Sequence, residues 1–110
     1  MIDWARVKDL RSEIGEEDFF EVVKMFFDET DEVVANLERT VDLATVECRL
    51  HFLKGSALNL GLSDLATLCQ NGEKSAAQGH MERLNLRDVT ASYHLSKSEF
   101  LNSLGRSKAA

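Results

Sequence analysis

The chain has 110 residues, 13 of them basic and 19 acidic, for a net charge of −6. This balance excludes a nucleic-acid binder, which needs a dense positive surface to displace counterions. No apolar run approaches the ~20 residues of a membrane span, and no basic-then-apolar leader marks a secretory signal.

Proline is absent and aromatics make up only 7%. Alanine, leucine, glutamate, lysine and arginine are common, and these residues lose little entropy in helices. An all-α fold follows, and the length fits a single domain over 1–110.

The first predicted helix runs from about Asp3 to Ile14, capped by Asp3 and ended by Gly15. Its apolar stripe is Trp4, Val7, Leu10 and Ile14. The second runs from about Glu16 to Thr40, with Glu16, Glu17 and Asp18 at the positive end of its dipole. Phe19, Val22, Phe26, Val33 and Leu37 form one stripe, and Phe20, Val23, Phe27 and Val34 form a second beside it. Together they are wider than one packing seam requires. The spare stripe of Phe20, Val23 and Phe27 therefore either packs under the first helix or contributes to a docking surface.

The third helix is expected from about Asp42 to Leu60, with Gly61 as its stop. Leu43, Val46, Leu50, Leu53, Ala57 and Leu60 recur at alternating spacings of three and four, a bundle-core pattern. Ser63 is the expected cap of a fourth helix ending near Gln78, with Leu65, Leu68, Cys69 and Ala76 facing inward and Gly72 in its middle. Asn85 caps a fifth, whose inner face is Leu86, Val89, Tyr93, Phe100 and Leu104, before Gly105. Four longer helices with short connections predict an antiparallel four-helix bundle, with the short N-terminal helix laid across one end.

Soft metal ligands are few. Cys48 and Cys69 are expected to be free buried thiols in a reducing cytoplasm. His51, His80 and His94 show no i, i+4 zinc spacing, so no metal site is expected. His80, beside Gly79, and His94, beside Tyr93, are read as solvated surface residues.

His51 stands apart. On a wheel of about 100° per residue it lies about 140° from the centre of the third helix's core stripe. Lys54, Gly55, Leu58 and Leu62 follow on its side of the helix at spacings of three, four, seven and eleven. A neutral imidazole is nucleophilic near neutral pH and can carry a phosphoryl group covalently. Lys54 offers a cation to phosphoryl oxygens. Gly55 removes a side chain where a partner backbone must approach. Leu58 and Leu62 are expected as exposed contact residues. An exposed histidine on a helix is more often incidental, so a plain helical interaction module is the competing reading.

The run His51-Phe52-Leu53-Lys54-Gly55-Ser56-Ala57-Leu58-Asn59-Leu60-Gly61 strongly resembles the signature of histidine-containing phosphotransfer (HPt) domains, H-x-L-K-G-S/A followed by L-G. Leu65-Ala66-Thr67-Leu68-Cys69 also resembles the family's next helix. Asn71 and Gly72 depart from a usually bulkier pair.

The resemblance implies a four-helix bundle that relays phosphoryl groups between receiver-domain aspartates. It implies His51 as phosphoacceptor, Lys54 as an aid to phosphoryl binding, Gly55 as access for the receiver, and Ser56 as a small polar position beside the site. Glu73 falls where the family often places Glu or Gln, and is either an orienter of the imidazole or an ordinary surface glutamate. The implied partners are receiver domains of response regulators or a hybrid histidine kinase, with Mg²⁺ expected on the receiver. No cofactor of its own is expected, and no Gly-rich phosphate loop for ATP is present. The chain is expected to be a cytoplasmic, monomeric, free-standing carrier, with excision from a larger hybrid kinase as the alternative.

Overall fold

The computed structural model describes residues 2–37, 39, 42–80 and 85–109, with 105–109 by backbone alone. Among these described residues five helices follow one another: α1 (Trp4–Ile14), α2 (Glu16–Leu37), α3 (Leu43–Leu60), α4 (Ser63–Ala77) and α5 (Leu86–Ala109). No strand occurs among the described residues, only an isolated bridge between Ile2 and Leu62. The expected end of α2 at Thr40 lies outside the described residues, which follow this helix to Leu37.

Local chemistry sets most boundaries. The Asp3 side chain accepts from the Arg6 amide at 3.3 Å and caps α1. Asp42 does the same for α3, accepting from the Thr45 amide at 3.2 Å and from its hydroxyl at 2.8 Å. Asn85 Oδ1 accepts from the Asp88 amide at 3.2 Å at the head of α5. Two expectations fail. Ser63 is the first residue of α4 rather than its cap, and Leu62 holds the cap position with no side-chain hydrogen bond. Nor does Gly105 end α5, which continues to Ala109, since one glycine in a helix costs only ~1 kcal/mol.

α2 packs against α3, α3 against α4, α4 against α5, and α5 against α2, while α1 lies on α2 and α3. The core is drawn from all five helices. On α2 the buried residues are Phe19, Val23, Phe27, Thr30, Val34 and Leu37. Their spacings are four, four, three, four and three, and they cut across the two stripes expected from sequence. Val22, Phe26 and Val33 are only half-buried. Val23 and Phe27, expected as a spare or docking pair, are thus core residues. They line a groove between α2 and α5 with half-buried Phe20 and Lys97 and exposed Leu101, not one shared with α3. α5 needs a seam on α2 of its own, and the second stripe supplies it.

Leu62 requires a further correction. It is 1% exposed rather than a contact residue. Gly61 adopts the left-handed conformation (φ 77°), and the Leu62 amide donates back to the Ala57 carbonyl at 2.7 Å. In this type of helix stop the residue after the glycine turns inward onto the last turn. The wheel argument for Leu62 ends where the helix does, at Leu60.

A charged link between α2 and α5 was not expected. Tyr93, fully buried, directs its hydroxyl at the Asp31 carboxylate, and Lys97 Nζ donates to both Asp31 oxygens at 2.9 and 2.7 Å. Burial pushes the Asp31 carboxyl up. The hydrogen bonds from Lys97 and Tyr93 reverse this and hold it below its ordinary value. Burial and the same carboxylate push the Tyr93 phenol up.

Candidate functional site

α3 presents an outer strip of exposed residues: Cys48, His51, Phe52, Gly55, Leu58 and Asn59. The strip exists because Val46, Leu50, Leu53, Ala57 and Leu60 fix the opposite side in the core. His51 points outward, as its position on the wheel requires, and its side chain is 69% exposed.

Behind it lies Glu73 of α4. Glu73 Oε1 is 2.7 Å from His51 Nδ1, and Glu73 Oε2 is 2.9 Å from Lys54 Nζ. The Glu73 and Lys54 side chains are far less exposed than that of His51, at 21% and 24%. One carboxylate therefore spans two residues a helical turn apart. The Lys54 hydrogen bond is the main influence holding the Glu73 carboxyl below its ordinary value; it outweighs burial, and His51 adds to it. A carboxylate at Nδ1 leaves that nitrogen as the N–H donor, so Nε2 is the ring atom with a free lone pair.

Gly55 is exposed, and a Cβ built on it would meet nothing within 4 Å. Among the described residues its lack of a side chain serves no packing. Leu58 is exposed at 59%, on the same side as His51. Ser56 is half-buried. Five residues on from His51 it lies about 140° round the helix, which places it off the imidazole's face rather than beside it. His94 is exposed, and His80 is half-buried with its amide bonded to the Ser75 carbonyl at 2.9 Å.

The two cysteines part company. Cys69 is buried, and burial pushes its thiol up to about 12, with Glu73 adding to the effect. Cys48 is exposed one turn before His51, contrary to the expectation of two buried thiols. Among the described residues no cluster of three or more His, Cys, Asp or Glu could hold a metal ion. No helix is long and apolar enough to cross a membrane among those same residues.

One residue of this face was overlooked. Phe52 is 44% exposed and borders a groove with Arg49 of α3 and Glu29, Val33 and Asn36 of α2. The signal was present, because an aromatic directly after His51 falls off the core stripe by the same arithmetic.

The family model described as "Hpt domain" matches residues 21–104. The fold is similar to the crystal structure of a histidine-containing phosphotransfer protein from maize, with a TM-score of 0.82 at 21% identity. The match covers 98% of this chain and 86% of that one. No significant sequence match to a curated protein was found. The matched region contains the His51 strip and Glu73 behind it, and on that match the chain belongs to the Hpt domain family, the histidine phosphotransfer domains.

Proposed function

We propose that His51 Nε2 accepts a phosphoryl group from an aspartyl phosphate of a receiver domain and passes it to the aspartate of a second receiver. The observation that carries this reading is the exposed imidazole anchored at Nδ1 by Glu73, with Lys54 on the same carboxylate. The anchoring keeps one tautomer, so the nucleophilic nitrogen faces outward without reorganisation during attack. Lys54 is one turn away and can turn from Glu73 towards phosphoryl oxygens, where a cation stabilises charge in the transition state. Mg²⁺ on the receiver would supply the rest of that charge neutralisation.

Docking uses the outer strip of α3. Gly55 lets the partner's backbone approach, and Leu58 and Phe52 provide apolar contact. The groove beside Phe52 extends this footprint onto α2 on its α3 side. Phe20 sits in the groove on the α5 side of α2 instead, with buried Val23 and Phe27. We assign that groove no part in docking.

The architecture suits a carrier. We read α2 to α5 as an antiparallel four-helix bundle with α1 across one end, and residues 1–110 as one unit. The protein then acts as a monomeric phosphoryl carrier of the cytoplasm, with no ATP-dependent kinase activity. Incubating it with radiolabelled phosphoryl-receiver domains tests the assignment. Wild type is expected to take up label and His51→Gln none; equal labelling of the two would sink it.

A further inference from the structure

We propose that the negative charge of Glu73, beyond its hydrogen bond, holds the Nδ1 proton on phosphorylated His51. In this way it keeps the Nε2–P bond ready to break across the neutral pH range. The proposal rests on His51 Nε2 as phosphoacceptor and adds what controls the lability of the group it carries.

Transfer out of the domain has a simple balance. An acceptor oxygen attacks phosphorus, the O–P bond forms, the Nε2–P bond breaks, and its electron pair returns to Nε2. If Nδ1 keeps its proton, the leaving group is a neutral imidazole. If Nδ1 is bare, the leaving group is an imidazolate, a far stronger base that departs far more slowly. Loading is the same step in reverse, with the Nδ1 proton again in place. The cycle therefore needs no net proton exchange, provided something holds that proton while the phosphoryl group is on the ring.

Glu73 is built for this. Its Oε1 lies 2.7 Å from Nδ1, within reach of a charge-assisted hydrogen bond. It is 21% exposed behind a ring that is 69% exposed, so water competes less at Nδ1 than at the outer edge. Lys54 at 2.9 Å on the other oxygen keeps the carboxyl ionised. If Lys54 turns to the phosphoryl group, Glu73 is left facing the phosphoimidazolium alone, and its charge serves the ring undivided.

The other charged and titratable groups are less well placed. From α4, Cys69 stays a neutral thiol. One turn back on α3 itself stand Cys48 and the half-buried Glu47, whereas the 2.7 Å contact to Nδ1 is made by Glu73. The α2 carboxylates Glu29 and Glu32 line the groove on the Phe52 flank. From α1, Arg6 is bound to the Asn59 carbonyl at 3.1 Å, two turns along α3. α5 packs mainly against α4 and α2. Glu73 is thus the anion at the nitrogen in question.

If Glu73 served only to orient the ring, glutamine would do as well, since it keeps an acceptor at the same reach. The two roles separate on pH. Wild type and Glu73→Gln, phosphorylated with the small donor phosphoramidate, would be titrated by ³¹P NMR. His51→Gln distinguishes the His51 signal from phosphorylated His80 and His94. Removing the charge is expected to lower the titration midpoint of phospho-His51 by about one pH unit. The pH above which phospho-His51 hydrolysis slows is expected to fall by the same amount.

A second measurement needs no variant. Unfolding phosphorylated wild type in urea is expected to lower the same midpoint, because Glu73 and the ring separate. Identical midpoints in wild type and Glu73→Gln, or in folded and unfolded wild type, overturn the proposal. Absence of any phospho-His51 signal in wild type would instead remove the phosphoacceptor reading on which it stands.

Discussion

The Asp3 amide donates to the Gly61 carbonyl at 2.6 Å, so the head of α1 is tied to the stop of the helix that carries His51. The same glycine has φ 77°, and a Cβ placed on it would stand 2.6 Å from the Asp3 carbonyl oxygen. Backbone meets backbone at this point, with no flexible side chain to give way. Gly61 therefore does two things at once. It turns the chain from α3 into α4, and it leaves space for the N-terminal segment to cross.

Gly61→Ala is expected to destabilise the fold by roughly 2–3 kcal/mol, combining the left-handed strain with the clash. Denaturant unfolding followed by circular dichroism measures it. A loss below about 0.5 kcal/mol would mean that the crossing of α1 over Gly61 is not as described.

Gly55 gives the opposite outcome. It is mid-helix with open space beyond it, so Gly55→Ala should stabilise the chain by about 0.5–1 kcal/mol through helix propensity. Phosphoryl uptake from a receiver should fall, and further still in Gly55→Gln, while uptake from phosphoramidate stays unchanged. Equal receiver transfer in all three proteins would show that nothing approaches closely at this position.

The thiols offer a direct check on burial. Cys48 is exposed, whereas Cys69 is buried with its thiol pushed up to about 12. At pH 8 a thiol reagent should label one cysteine rapidly in the native protein and both in denaturant. Peptide mapping should find the fast site at Cys48. Rapid native labelling of Cys69 would contradict the packing of α4 on α3.

The Asp31 link predicts an acid-dependent contribution to stability. Its carboxyl titrates below its ordinary value when folded, so the unfolded chain binds the proton more readily. The contribution is present above the unfolded value near ~4 and is lost as pH falls through that value towards the folded one. Asp31→Asn should cost about 1 kcal/mol at pH 7, a modest figure because the pair is partly solvated. The gap to wild type should close below about pH 4. A gap that stays constant from pH 7 to pH 3 would exclude this origin.

Legibility in the sequence followed the range of the interactions. Asp3, Gly15, Asp42 and Asn85 marked helix ends because a cap or a glycine stop acts within a few residues. The exposure of His51 was legible because α3 carries one unbroken core stripe, which leaves its outer strip unambiguous. α2 was harder, since apolar residues cover much of its circumference and any of several seams satisfies the pattern. Only the placement of α3 on one side and α5 on the other decides that Phe19, Val23 and Phe27 go inward while Val22 and Phe26 stay half-buried. Leu62 was misread because helical geometry was carried past a glycine that breaks it.

His51, Lys54 and Gly55 lie within five residues on one helix, and helical periodicity alone brings them together on an outward face. That much the sequence determined unaided. The partner behind them was decided by tertiary structure. Glu73 is 22 residues away on another helix, and its register against His51 depends on how α3 and α4 interlock along their whole buried length. The Asp31 link to Tyr93 and Lys97, 62 and 66 residues away, is of the same kind. Spacing within a helix is written by a local repeat of the chain, whereas contact between helices is the outcome of packing all of them at once.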